Sequence, residues 1–466
     1  MTKAARSRRR LGIWSALPPY LGGKRRLCPL IFREIDRVLP RRLWAGRKLL
    51  DGFLGGGSVS LYAKAQGFNV TACDIAERAL VTGRALIENS RVKLTREDVI
   101  RILTPNPEPA MRVEREMSPS IFTANVARFI DRCLAASRVT EDPAKAALLR
   151  MLAVRIGLLE HPMSQVRKGT IHRVTTGEYE AITSSCVHHY VDGFRLTRLE
   201  RVWQLAEQIN AGVFQGDGRV LQGSVLELLP TIDAAVAYFD PPYPGVMSYE
   251  KEYRVIDEIL EGQTRPTSPF TAKDGAAMID GLFERAQHIP VWLLSLGNAV
   301  ATLDELEGKM TKLGRVTKAI EIKYTHLPSI ATQEKNEGNR EFLVVGWDPS
   351  SPLLRSVSVA GIGNHDLGQV PHELMVGVGY DPDGLGPEGP ASLARRGDPE
   401  QEGKPRFTGK PALVAGRDAI AELQDGIDTP DPVDVKRAVN GGREVWSLFA
   451  VGHDTTIPPL PPEIKC

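Results

Sequence analysis

The stretch "KLLDGFLGGGSVSLYAKAQGFNVTACD", Lys48–Asp74, decides the fold. It opens on a short apolar run ending in Asp51, passes through a loop holding Gly55, Gly56 and Gly57, and continues with apolar residues at helical spacing. A second apolar run then ends on Asp74. Strand, glycine loop, helix and strand in that order form a βαβ unit, in which a parallel sheet places its loops and ligands at the carboxyl ends of the strands. Glycines let the backbone turn tightly and a ligand approach closely. The loop lacks the G-x-G-x-x-G spacing of a dinucleotide site, and such a loop also serves plain helix–strand packing. An acid at the end of the second strand, as Asp74 is, can accept hydrogen bonds from both hydroxyls of a ribose. It can equally cap the helix that follows.

The rest of the chain supports an α/β sheet of Rossmann type with helices on both faces. "CPLIFREIDRVLP" carries apolar residues at helical spacing up to Pro40. "GRVLQGSVLELLPTI", "AAVAYFDPPY", "VWLLSLGNAV", "RVTKAIEIKYTH" and "GNREFLVVGW" return to strand patterns. Between them, residues 100–215 read as a mainly helical insertion, with "AKAALLRMLAVRIGLLEH" its clearest helix. The segment "MSQVRKGTIHRVTTGEYEAITSSCVHHY" breaks that period. The expected organisation is a basic arm over 1–15, a catalytic sheet from 16–99 and 216–347, the insertion, and an acidic Gly/Pro-rich extension over 348–466. Most of that extension is expected to be poorly structured, apart from a helix at "ALVAGRDAIAELQDG" and a strand at "REVWSLFAVG".

With 466 residues, 42% hydrophobic and 25% charged, the chain can bury a large core. It holds no run of eighteen apolar residues, so no membrane partner is expected. Five scattered cysteines without a C-x-x-C pair point to a reducing, cytoplasmic setting. Cys186 with His161, His172, His188 and His189 matches no zinc template, and no metal is expected. The net charge of +2 is uneven: +12 over residues 1–50 and −6 over residues 351–466. A basic body suits a polyphosphate ligand, although a solvated surface would look the same.

"AYFDPPYPG", Ala237–Gly245, is the most specific signal. Proline cannot donate to a sheet ladder, so the strand stops there and leaves Asp240 at its carboxyl edge. Tyr243 follows Pro241 and Pro242 on a stiff loop, where its ring can act as a stacking platform. Upstream, "PPYLGGK" offers the flat ring of Tyr20, room for close approach at Gly22 and Gly23, and a cation at Lys24 for a carboxylate or phosphate.

Together, Tyr20/Gly22/Gly23/Lys24, Phe53-x-Gly55-x-Gly57, Asp74, Asp240-Pro-Pro-Tyr243 and "GNREFLVV" (Gly338–Val345) resemble the D12-class N6-adenine-specific DNA methyltransferases, the Dam-like family. The resemblance runs over roughly residues 16–347, in the family's order of glycine loop, long insertion and D-P-P-Y. Tyr20 stands where the family often has Trp. Ser224 stands where an acid is common, and residues 100–215 offer no residue-by-residue match.

The resemblance implies S-adenosylmethionine as methyl donor, without a metal. Tyr20, Lys24, Asp74 and Asp240 would contact it, Asp74 at the ribose and Lys24 at the methionine carboxylate. Gly22, Gly23, Asp51, Phe53, Gly55, Gly57 and Ser224 would line its pocket. Asp240, Pro241, Pro242 and Tyr243 would act on an adenine flipped out of duplex DNA. Arg167, Lys168 and Arg173 are the expected DNA-reading residues of the insertion, and the family leaves room for a cognate restriction endonuclease as a partner. Two other readings compete: an RNA adenine methyltransferase, and a non-catalytic DNA-binding protein with a vestigial methyltransferase fold. Intact Lys24, Asp74 and Asp240–Tyr243 argue against the second.

Overall fold

The computed structural model describes residues 12–104, 111–118, 121–160, 197–243, 253–261, 268–271, 277–298, 300–323, 340–359, 433–440 and 443–450. Its strands, in chain order, are β1 (Lys48–Asp51), β2 (Asn69–Asp74), β3 (Gly218–Gln222), β4 (Val236–Phe239), β5 (Val291–Gly297), β6 (Val316–Lys323), β7 (Arg340–Trp347), β8 (Val433–Asn440) and β9 (Arg443–Ala450). They form a single sheet in the order β3-β2-β1-β4-β5-β7-β6-β9-β8. From β3 to β5 every pairing is parallel, whereas β7 runs antiparallel between β5 and β6. This is an open, mostly parallel α/β sheet of Rossmann type, and its strand order reverses between β1 and β4. That crevice is where open α/β sheets bind ligands.

Apolar side chains alternate across the strands because successive residues point to opposite faces. Leu49, Val236, Tyr238, Leu293 and Leu343 join one core, whereas Leu50, Ala237, Phe239, Leu294 and Val344 join the other. Both faces are therefore buried, as near-continuous apolar strands require. Helices α1 (Cys28–Val38) and α2 (Ser58–Ala65) cover the first face. Two further helices, Ala277–Arg285 and Leu303–Lys312, cover the second. Gly57, at φ +81°, sits in the left-handed region as the residue before α2, where a side chain would strain the backbone.

Much of the expected insertion packs with the sheet. Helices α3 (Glu77–Gly83), α4 (Arg96–Leu103), α5 (Arg112–Met117), α6 (Ala124–Val139) and α7 (Pro143–Glu160) follow β2. Phe129, Ile130, Leu148, Leu152 and Ile156 of α6 and α7 are buried in the same core as Leu49 and Val70. The helix Leu199–Asn210 adds Val202, Leu205 and Ile209 to it. A boundary at residue 100 accordingly does not divide the core. The period-breaking segment 161–190 lies outside the described residues, as does the basic arm 1–11. In the C-terminal extension the expected strand "REVWSLFA" is β9, paired antiparallel with β8 and parallel with β6. The helix expected before it lies outside the described residues.

Candidate functional site

Adjacent parallel strands β2, β1 and β4 present carboxylates at or just beyond their carboxyl ends: Asp74, Asp51 and Asp240. The register aligns Asp51 with Ala72 on one side and Tyr238 on the other, so the three acids open on one crevice. The crevice is an open cleft of about 1030 Å³ lined by the three acids, the glycine loop, Tyr20–Lys24 and Phe270.

Asp74 closes β2 at its carboxyl end. Its Oδ2 accepts the Gly55 N–H and its Oδ1 the Ala76 N–H, each at 2.9 Å. A carboxylate has about four lone-pair sites, so each oxygen retains acceptor capacity towards the cleft. Burial raises the Asp74 pKa against the opposing pull of these N–H groups. Asp51 is more deeply placed: Ser60 donates its hydroxyl to Oδ2 at 2.7 Å and Phe53 its N–H to Oδ1 at 3.3 Å. Burial lifts the Asp51 pKa to about 7, and the negative charges of Asp240 and Asp74 add to the rise.

The N-terminal loop is held from beneath. Arg155 of α7 donates Nη1 to the carbonyls of Ser15, Ala16 and Leu17 at 3.0, 3.2 and 2.6 Å. Arg25 donates to the carbonyls of Leu17 and Pro18 at 2.7 Å each. Tyr20 then stacks on Tyr253, centroids 4.8 Å apart, while Tyr253 Oη accepts the Leu21 N–H at 2.7 Å. A Cβ added at Gly56 would fall 2.6 Å from Tyr20 Cβ, and one at Gly55 3.1 Å from its ring. The glycines thus admit the chain's own tyrosine, a close approach that the sequence pattern attributes to a ligand.

Lys24 is almost wholly buried. Its Nζ lies 2.9 Å from Asp240 Oδ1 and 3.3 Å from Glu341 Oε1, and donates to the Gly22 carbonyl at 2.9 Å. Its charge therefore faces two carboxylates of this chain, whereas the family resemblance points it at a ligand carboxylate. Tyr243 donates its hydroxyl to Glu341 Oε2 at 2.6 Å, with Lys24 Nζ 5.6 Å from its ring centroid.

Of the residues expected to hold a cofactor, Tyr20, Gly22, Gly23, Lys24, Asp51, Phe53, Gly55, Asp74, Ser224 and Asp240 line the cleft. Gly57 does not; its place is the turn into α2. Pro242 lines it as well, and Pro241 and Tyr243 flank it. Arg167, Lys168 and Arg173 lie outside the described residues, as do Gly338, Cys186 and the four histidines grouped with it. Among the described residues Cys28, Cys73 and Cys133 are free and buried, and no group of side chains could hold a metal. No described helix is long and apolar enough to cross a membrane.

Sequence reading gave no site role to Glu341, although it lies in the motif "GNREFLVV", nor to Tyr253 or Arg78. Glu341 was signalled by an acid inside an apolar strand. Arg78, four residues past Asp74, reaches the cleft, pairs with buried Asp257 at 2.5 Å and lies 4.8 Å from the Tyr253 ring centroid.

Fold and crevice together define an α/β protein of Rossmann-like build with an acidic cleft at the switch point of its sheet. Residues 20–118 match the family model of the D12 class N6 adenine-specific DNA methyltransferases. It is 27% identical over 335 residues to the Type II methyltransferase M2.HphI of Haemophilus parahaemolyticus, a match covering 70% of this chain and 95% of the relative. Among solved structures, the rRNA methyltransferase aviRa from Streptomyces viridochromogenes aligns over 69% of this chain and 84% of its own. Its identity is 13% and its TM-score 0.25, a likeness too slight to bear on the fold.

Proposed function

We propose that the protein transfers the methyl group of S-adenosylmethionine to N6 of an adenine turned out of duplex DNA, at a specific sequence. The observation that carries this reading is the Asp240 carboxylate, held by Lys24 at the end of β4, on the same cleft as Asp74 and Asp51. The cleft suits the cofactor chemically. Asp74 has acceptor capacity for a ribose, and the acids of the crevice favour a cation such as a sulfonium. S-adenosylmethionine, when bound, supplies an electrophilic methyl group.

The protein's part is to make a poor nucleophile act. The adenine N6 lone pair is delocalised into the ring. Asp240 accepts one N6–H and the Pro241 carbonyl the other, which draws the nitrogen towards a tetrahedral geometry with its lone pair free. Tyr243 stacks on the base once it has left the duplex. Positioning and fixed electrostatics of this kind supply several kcal/mol. Readout of the DNA sequence is assigned to residues 161–190, with Arg167, Lys168 and Arg173 near the bases or phosphates. On the likeness to a Type II methyltransferase, the protein works beside a cognate restriction endonuclease in the cytoplasm.

Purified protein given methyl-labelled S-adenosylmethionine and duplex DNA, with single-stranded RNA as a parallel arm, tests the reading. N6-methyladenine in the digested DNA, at one recurring sequence, is the expected result. Label confined to RNA would replace the reading with an RNA methyltransferase, and label in neither would overturn it.

A further inference from the structure

We propose that Glu341 is a positioning residue of the methyl-transfer site, one buried carboxylate that fixes both Tyr243 and the Lys24–Asp240 pair. The proposal rests on the reading of Asp240 and Tyr243 as the residues that meet the base. Glu341 opens the apolar run of β7 and is fully buried, a place where an anion is costly unless paired. Two of its partners belong to the site. Oε2 accepts the Tyr243 hydroxyl at 2.6 Å, and Oε1 lies 3.3 Å from Lys24 Nζ, itself 2.9 Å from Asp240 Oδ1.

The backbone is shaped to the same end. Gly297 of β5 lies directly opposite Glu341 in the antiparallel register. A Cβ there would fall 3.1 Å from Tyr243 Cε2, so the ring rests on a position that a side chain would crowd. Ring orientation is then set by two constraints, the glycine below it and the hydroxyl bond to Glu341. The same carboxylate shares the Lys24 ammonium with Asp240. Lys24 thereby stands between two anions, so its hold on the Asp240 oxygen is fixed from both sides.

Three variants separate positioning from general stability. Glu341→Ala removes both contacts and is expected to lower the single-turnover methylation rate on the order of 10²-fold, the cost of a misplacement near 1 Å. Glu341→Gln keeps an acceptor for the Tyr243 hydroxyl but loses the charge facing Lys24. It is expected to leave the DNA KM near the parental value while kcat falls about tenfold. Tyr243→Phe added to Glu341→Ala is expected to cost little more, because both changes release one contact. Parental rates in both Glu341 variants, or full additivity with Tyr243→Phe, would overturn the proposal. Should Glu341→Ala fail to fold, Glu341→Gln carries the kinetic test. A crystal structure of Glu341→Gln decides independently of any activity: Lys24 is expected to shift towards Asp240, and an unmoved Lys24 would overturn the proposal. If the parental protein methylates no adenine at all, the functional reading fails, and that structure still judges the role of Glu341.

Discussion

Lys24 and Asp240 meet in an ion pair of 2.9 Å that ties the N-terminal loop to the end of β4. The lysine is buried, whereas the aspartate side chain keeps 18% of its surface exposed, so the pair faces the cleft from one side. An Asp240 that is aimed by Lys24 and still open to a base has the properties of a preorganised acceptor.

Asp240→Ala is therefore expected to abolish methyl transfer while the protein stays folded. Asp240 follows β4 and belongs to neither apolar core. Loss of an interaction of ~3–4 kcal/mol in the transition state corresponds to roughly 10²–10³ in rate. Single-turnover methylation with circular dichroism alongside checks this, and a near-parental rate would remove Asp240 from the chemistry.

Tyr253→Ala is expected to loosen the cofactor side of the cleft without touching a lining residue. It removes the ring stacked on Tyr20 and the hydroxyl that accepts the Leu21 N–H. A stacked pair contributes about 0.5–1.5 kcal/mol beyond its buried area, enough for a several-fold weaker affinity for S-adenosylmethionine by calorimetry. Tyr253→Phe should recover most of that loss, since the ring remains. Equal affinity in both variants and the parent would dissociate Tyr20 from cofactor binding.

Asp51 sets a pH dependence whose sign is fixed. An unfolded aspartate titrates near 3.9, whereas burial first, and nearby acids second, raise the native pKa to about 7. Between those values the native state binds more protons than the unfolded one, so stability falls as pH rises, and the whole penalty is present above pH 7. Asp51→Asn is expected to be more stable than the parent at pH 8 by roughly 2–4 kcal/mol, with the difference shrinking towards pH 4. Its amide oxygen can still accept the Ser60 hydroxyl. Urea melts at pH 5 and pH 8 measure the difference, and a gap that widened on acidification would contradict the assignment.

The sequence made the sheet legible wherever a strand ends on a special residue. Asp51, Asp74 and the prolines after Asp240 each mark a carboxyl edge, so β1, β2 and β4 and the site between them can be read in advance. Long-range partners could not be. The period-2 pattern of β7 places Glu341 on the face of Leu343 and Val345, but nothing local says that Lys24 and Tyr243 come to meet it. Likewise Arg155 stands in a helix apolar on nearly all sides, which marks it as a buried charge without naming its acceptors. The insertion reads as separate because residues 100–215 offer no residue-by-residue match to the resembled family; burial in the shared core depends on where the helices' apolar faces dock, which periodicity does not encode.

Arg155 carries the last prediction. It is 3% exposed, and its guanidinium serves the carbonyls of Ser15, Ala16 and Leu17 and the Gln208 side chain, the last at 3.0 Å. Its place is deep in α7, so the fork links that helix and the helix Leu199–Asn210 to the loop that leads into Tyr20 and Lys24. Arg155→Met keeps the volume and the apolar stem but leaves buried carbonyls without their donor, at about 1–3 kcal/mol for each group left unsatisfied. Arg25 still reaches Leu17, so Ser15 and Ala16 bear the loss, and a destabilisation of roughly 2–4 kcal/mol in urea is expected. The loop they belong to should then bind S-adenosylmethionine about tenfold more weakly. Arg155→Lys should not restore either quantity, because a point ammonium cannot reproduce a planar fork that reaches several acceptors. Full stability and affinity in Arg155→Lys would show that charge alone suffices there, and parental values in Arg155→Met would mean that the loop holds its place without α7.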